Sequence, residues 1–588
     1  MTRLYTFKTL YQQIKTQKSD FWRTSLYGII STLLLLPLPM LIPLLIDEVL
    51  LKHPGKMTDI ISSVFPSPEV WVFIIVILCV VVLLRLIAFV FHNKKTFYAT
   101  KITQKISYLL RHRILHHLEH VSLSEYETIK SGGVSSKMVQ DVESVSGFAG
   151  QLVTTVLSAS LMIVGIAAVM FWMNWVLALL VFMLNPLFLG FSRLIGKKTG
   201  ELLRRQHEAY DLYHELLTET LELFIQVRAS NQERTFFGLL QNRAKKIEES
   251  SLDYGYKASV AHSSSTLLTN TVVDIFRALG IAAVAYSDLS IGMMIAFLFY
   301  LSTLVSPIQS LMGLVIGYQH TKPALQRIND LLSLAHEPHY PHEENPFDGC
   351  ETTSVALDKI DFSYGNGKQV LHNITLKAKS GQKIALVGAS GSGKTTIAQI
   401  MVGFYPSHTG SIFYGDVPIE KIGLPIVREN VALMLQQALF FNDTIRMNLT
   451  LSKPKSDEEI YTALKAAQLE AFTDALEDGL ETPIGKNGIR LSGGQRQRLA
   501  IARLILSDPK IVIFDEATSA LDNATEFHLY ETLSSFLEGR TTIIIAHRTT
   551  TIKQADTIYL IEEGRVKAEG SYDMLEEQGL IKEDFDRI

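Results

Sequence analysis

The chain has 588 residues, of which 47% are hydrophobic and only 19% charged, below the roughly 25% charged of an ordinary soluble domain. With Cys79 and Cys350 as its only cysteines, it is not a disulfide scaffold, and the composition also excludes disorder and collagen-like repeats. The net charge of −4 hides a split: residues 1–330 carry 30 Lys+Arg against 23 Asp+Glu, and residues 331–588 carry 25 against 36. Such a pattern suits neither a nucleic-acid binder nor a single soluble enzyme, and no nucleic-acid partner is expected.

A membrane crossing needs about 20 mostly apolar residues to span a hydrocarbon core of ~30 Å. Six stretches qualify, at about 24–46, 70–93, 146–171, 175–195, 258–286 and 291–318. The third and fourth come from 49 uncharged residues between Glu143 and Arg193, with Trp172, Asn174 and Trp175 suited to a short turn at the interface. Residues 1–20 are polar and partly basic, so they read as an amphipathic elbow rather than a cleavable signal peptide or a fused peptidase. Segment 94–146 carries eight Lys/Arg and segment 196–257 carries ten, whereas the loop 47–69 carries only Lys52 and Lys56. Positive charge accumulates on the cytoplasmic side. Both long connections and both termini are therefore expected in the cytoplasm. These connections have few prolines and regular apolar spacing, such as Leu212, Leu216, Leu217, Leu221 and Phe224, so the membrane helices are expected to extend well beyond the bilayer.

Charges inside crossings are costly in lipid and mark functional candidates. Asp274 and Arg277 share a helical face in the fifth crossing, and Arg85 sits in the second. They read either as polar substrate contacts or as an ion pair within or between helices. Met293, Met294, Phe297, Phe299 and Tyr300 of the sixth crossing read either as a pocket lining or as packing. A linker at 331–352 follows. Its His336, His339 and His342 read as solvated linker residues rather than metal ligands, because no second ligand cluster accompanies them in the sequence.

From Val355 onward strand and helix patterns alternate, as in an α/β domain. Gly388-Ala-Ser390-Gly391-Ser-Gly393-Lys394-Thr395 follows the strand-like Lys383–Val387 and opens a helix with Thr396, which is the P-loop pattern in its required context. Glycines let backbone amides close around phosphates at a helix N-terminus. Lys394 is expected at the β/γ-phosphates and Thr395 on Mg²⁺. The apolar run Ile511–Phe514 ends in Asp515 and Glu516, an expected Mg²⁺ ligand and the group that polarises the attacking water.

Leu491-Ser492-Gly493-Gly494-Gln495, shortly before that strand, resembles the signature of the ABC (ATP-binding cassette) transporter family. The resemblance extends to Tyr364, matching the aromatic that stacks on adenine, and to Gln436, matching the glutamine that approaches Mg²⁺. It also covers Asp522, in the loop that crosses the dimer interface, and His547, at the γ-phosphate. The six-crossing half is similar to the exporter-type membrane domain, with Ser124-Glu125-Tyr126 and residues 226–233 as likenesses of the coupling helices at the loop tips. The implied fold is a six-helix transmembrane domain (1–330), the linker, and an α/β P-loop ATPase domain (353–588), the layout of a half-transporter. The family's geometry sandwiches ATP between the P-loop of one copy and the signature of another, which implies a second half-transporter. The intact Glu516 and signature favour a homodimer over a heterodimer. The resemblance further implies a multi-pass protein of the bacterial inner membrane with its ATPase domain in the cytoplasm, exporting a hydrophobic or amphipathic substrate such as a lipid, peptide or drug. An importer of the same layout and an ATP-gated channel are the alternatives. Lys486 departs from the family pattern, which usually carries an acid there.

Overall fold

The computed structural model describes residues 4–51, 55–64, 69–128, 134–135, 137–286, 289–365, 367–435, 438–515, 533–546 and 549–581. The chain divides into two compact units, residues 1–115 with 135–332, and residues 116–134 with 333–588.

The first unit is helical. After a short amphipathic helix α1 (Phe7–Thr16), α2 (Lys18–Leu35) enters the first predicted crossing. Pro37, Pro39 and Pro43 interrupt that crossing, and Leu44–Leu50 winds as a π-helix, because each proline removes a backbone donor. Met40 N turns to Pro37 O, and the Leu36 carbonyl accepts from Tyr300 Oη at 2.7 Å. The long helices that follow are α3 (Val70–Leu118), α5 (Val142–Met173), α6 (Trp175–Glu222), α8 (Glu233–Tyr286) and α9 (Ile291–Leu332). Short helices α4 (Leu123–Thr128) and α7 (Phe224–Ala229) occupy the tips of the two long connections.

Among the described residues five spans are long and apolar enough to cross a membrane: Lys18–Leu50, Val70–Leu118, Lys137–Met173, Glu233–Tyr286 and Ile291–Leu332. Helix α6 covers the remaining predicted crossing at 175–195. At 49 and 54 residues, α3 and α8 reach about 75–80 Å, more than twice the bilayer core. The turn expected near Asn174 is present. Its backbone is extended and its side chain accepts from Leu177 N at 3.0 Å, which caps α6.

The bundle core joins Ile166 and Met170 of α5, Phe276 of α8 and Phe297, Tyr300 and Leu304 of α9. Of the two readings for the sixth crossing, packing therefore holds for Phe297 and Tyr300, while Phe299 is half-exposed. Asp274 and Arg277 pair with each other, Nη1 to Oδ1 at 2.8 Å, one turn apart. Near the end of α9, Arg327 grips the buried Asp141 with two hydrogen bonds, one from Nε at 2.9 Å.

The second unit carries two sheets. One is antiparallel in the order β2-β1-β4-β5, where β1 is Val355–Ser363, β2 Gln369–Ala378, β4 Thr409–Tyr414 and β5 Val417–Pro418. The other has the order β10-β9-β3-β8-β7-β6, with β3 Lys383–Val387, β6 Val431–Met434, β7 Ile511–Asp515, β8 Thr541–Ile545, β9 Thr557–Glu562 and β10 Arg565–Gly570. Strands β9, β3, β8, β7 and β6 run parallel. They are buried on both faces, so they read as near-continuous apolar runs. A separate apolar cluster unites helix α11 (Asp457–Ala466) with helix α12 (Gly493–Ser507) through Ile460, Leu464, Leu499 and Ala502. Residues 123–128 belong to this unit: Leu123 of α4 packs against its main core.

Candidate functional site

The site begins at the end of β3. Its last residue, Val387, is buried, and the loop Gly388–Gly393 turns directly into helix α10 (Lys394–Met401). Two glycines are required here. A Cβ on Gly388 would lie 2.1 Å from Ile561 O, and one on Gly393, whose φ is +102°, would lie 2.6 Å from Leu371 Cδ2. Lys394 is buried, and its ammonium donates to the carbonyls of Gly388 and Ala389 at 2.8 and 2.9 Å, so the charge lies folded over the loop. Ser392 Oγ is buried with no hydrogen-bond partner among the described residues. Ser390, Gly391 and Thr395 are exposed beside it, while Thr396 is buried. A cradle of glycine backbone, a lysine and an orphaned hydroxyl at a helix N-terminus fits an anionic phosphate chain.

Sheet register brings the acid to this cradle. Leu386 of β3 and Asp515 of β7 both pair with Ile545 of the intervening β8, so all three stand in one row. Two strand spacings separate β3 from β7 by about 10 Å. Asp515 therefore emerges on the same carboxyl edge as the P-loop. Asp515 as a whole residue is 7% exposed. Glu516, Asp522, His547 and Gln436 lie outside the described residues.

Tyr364 follows β1. Its hydroxyl shares a hydrogen bond with Thr396 Oγ1 at 2.9 Å and donates to Gln399 Oε1 at 3.3 Å. Phe362 and Tyr405 hold its ring edge-on, with centroids 4.9 and 5.3 Å away. At the end of the same strand Asp361 accepts from Thr409 Oγ1 at 2.6 Å, Asn373 N at 2.9 Å and Gln369 Nε2 at 2.8 Å. Those donors, Thr409 foremost, hold its carboxyl below the ordinary range. Tyr405 touches a further element: burial pushes its phenol up, and the hydrogen bond to Glu127 of α4 adds to the shift. The short helix at the first loop tip thus meets the same aromatic group that frames Tyr364.

The signature opens helix α12. Ser492 caps it, its Oγ accepting from Gln495 N at 3.2 Å while Ser492 N donates to Gln495 Oε1 at 2.8 Å. The amides of Gly493 and Gly494 fall in the first turn, which supplies no intrahelical acceptors for them. Lys486 is exposed, on a tight turn between Gly485 and Gly488 that holds Asn487 at φ +53°.

In the first unit a cavity of about 660 Å³ lies among the first, second, third and sixth crossings. Ser31, Ile42, Val81, Arg85, His92 and Phe299 are part of its wall. Arg85 thus faces a largely apolar cavity, and Asp274 is not part of that wall. Sequence reading missed this cavity, since its wall comes from four separated helices.

A membrane-spanning helical unit joined to a P-loop ATPase is the class of molecule that the fold and the site define. Residues 371–519 match the family model described as ABC transporter, and residues 54–308 match that of the ABC transporter transmembrane region. The chain is 32% identical over 508 residues to the ATP-dependent lipid A-core flippase of Francisella novicida, covering 82% of each chain. It is 31% identical over 493 residues to the flippase of the same name from Burkholderia pseudomallei, covering 83% of this chain and 82% of that one. Among solved structures it resembles a bacterial Atm1-family ABC exporter with ATP bound, at a TM-score of 0.80 and 23% identity, covering 96% of this chain and 97% of that one. The chain belongs to the ABC transporter family. It is a multi-pass membrane protein that binds nucleotide and couples ATP hydrolysis to transport.

Proposed function

We propose that this chain is a homodimeric exporter that moves a lipid-like amphipathic molecule out of the inner leaflet of a bacterial inner membrane. The observation that carries the reading is identity above 30%, over four fifths of both chains, to proteins named as lipid A-core flippases. The cavity supports it: an apolar wall of Ile42, Val81 and Phe299 suits acyl chains, and Arg85 suits an anionic head group. In this reading residues 1–330 form the membrane domain with six crossings, residues 331–352 the linker, and residues 353–588 the cassette in the cytoplasm.

The nucleotide chemistry follows from the cassette's own residues. Gly388, Ser390, Gly391, Gly393, Lys394 and Thr396 cradle the phosphates, with Lys394 swinging from its carbonyl partners to the β/γ-oxygens, and Tyr364 receives the adenine. Thr395 and Asp515, which share one sheet edge, fit Mg²⁺ by their oxygen donors, and Gln436 joins them. Mg²⁺ held there would supply the positive charge that neutralises developing phosphate charge. Glu516 polarises the attacking water and His547 reaches the γ-phosphate. Ser492, Gly493, Gly494 and Gln495 act on the ATP held by the other copy, with Asp522 at the seam. The first turn of α12 supports this role, because it offers amides to an anion. At the second loop tip, Ile225 of α7 is 82% exposed, which supports docking onto the other copy.

The test is ATPase turnover in lipid nanodiscs. Amphipathic anionic glycolipids are expected to stimulate the wild type, and Glu516→Gln is expected to bind ATP and lose turnover. Stimulation by peptides or neutral drugs, with none by lipids, overturns the substrate assignment. Retained turnover in Glu516→Gln overturns the role given to that carboxylate.

A further inference from the structure

Where α3 ends, the second unit gathers imidazoles from two distant parts of the chain. His116, Glu119 and His120 place one ligand atom each within 4.8 Å of one another. All three are exposed. His116 Nδ1 lies 3.3 Å from Glu119 Oε2, and the rings of His116 and His120 stand edge to face with centroids 5.1 Å apart. His120 Nδ1 sits 3.0 Å from the His116 carbonyl. A carbonyl only accepts, so Nδ1 carries the proton and the neutral ring keeps its lone pair on Nε2, the arrangement in which a backbone partner orients a metal-binding imidazole.

The linker supplies the rest. Ser122 N donates to Ala335 O at 3.0 Å and Glu337 N to His120 O at 2.9 Å, with an antiparallel bridge between Val121 and His336. This pairing sets the ring of His336 6.0 Å, centroid to centroid, from that of His120, while its Nε2 is engaged by His117 Nδ1 at 2.8 Å, so that Nδ1 is the nitrogen His336 can offer a metal. The second ligand group that the linker histidines lack in sequence is thus supplied 216 residues upstream by the fold.

We propose that His116, Glu119 and His120, with His336 as a fourth donor from the linker, form a site for a divalent transition metal of the Zn²⁺ class. Two or three imidazoles and one carboxylate are donors suited to Zn²⁺, Ni²⁺ or Co²⁺ rather than to Mg²⁺ or Ca²⁺. Tetrahedral coordination with bonds near 2.1 Å wants donors about 3.4 Å apart. The His116–Glu119 pair already has that spacing, and the remaining closure lies within side-chain rotation at exposed positions. An ion bridging His120 and His336 would staple the linker to the segment that leads into α4, the helix packed on the ATPase core.

The test uses full-length protein without a histidine tag, in nanodiscs, titrated with Co²⁺ and competed with Zn²⁺, following the visible absorption of tetrahedral Co²⁺. One Zn²⁺-displaceable Co²⁺ per chain is expected. His116→Ala combined with His120→Ala should abolish it. His336→Ala should weaken binding on the order of 10–100-fold, while His339→Ala leaves it unchanged. Hydrogen exchange at residues 119–123 and 335–337 should slow with metal in the wild type but not in the double variant. An absence of Co²⁺ binding in the wild type overturns the site. So does wild-type binding in a double variant that keeps its melting temperature and ATP affinity.

Discussion

The two units of this molecule put charge to different uses. In the ATPase unit, Lys394 and Asp515 stand more than a hundred residues apart in sequence, and the shared row through Ile545 delivers them to one sheet edge. The P-loop holds Lys394 locally, but only the sheet brings Asp515 level with it. In the membrane unit, Asp274 finds Arg277 one turn away on its own helix, and the more buried Asp141 is held by Arg327, 186 residues away in sequence. Sheet register aligns reactive groups along one edge in the first case, whereas in the second each charge is met by an ion partner, on its own helix for Asp274 and from a distant helix for Asp141. A disturbance at the sheet edge should therefore cost more than one at a helix surface.

The largest effect is expected at Gly388. Its alanine variant would drive a Cβ into the Ile561 carbonyl, adding overpacking of about 1–3 kcal/mol to backbone strain of about 1–3 kcal/mol. Both nucleotide-analogue binding and the melting temperature of the cassette should fall, and unchanged binding would break the contrast at its strongest point. Asp141→Asn should come second. It removes a buried carboxylate from a two-bond grip on the half-exposed Arg327, a loss of about 1.5–3 kcal/mol for bonds to charged groups, read as a lower melting temperature in detergent. The smallest effect is expected from Asp274→Asn. Both partners are more than half exposed on the chain, and a pair facing a watery cavity contributes about 0–1 kcal/mol. A loss nearer 2.5–3.5 kcal/mol would instead place Arg277 against hydrocarbon and sharpen the contrast from the other side.

Much of this was readable in the residues. Gly388–Thr395 announces its role because a phosphate cradle needs glycines, a lysine and a hydroxyl in one contiguous stretch. Uncharged runs such as Leu289–Thr321 announce a crossing because the bilayer sets their length. Residues whose meaning depends on a partner were opaque. His336 looked like a solvated linker residue, yet the 120–122 segment pairs with it. The spacing of four between His112, His116 and His120 was the available signal. Arg85 likewise gained a setting only when four helices came together to wall a cavity that it lines.

The sequence by itself determined the class of the molecule: which stretches lie in lipid, which loop holds phosphate, and which family the motif order resembles. These are properties of short contiguous segments, governed by solvent transfer and backbone geometry. Only the tertiary structure decided which acid stands level with the P-loop, which aromatics of the sixth crossing pack inward, and where the histidines meet. Those answers depend on register and packing between segments distant in the chain, and no local pattern carries them.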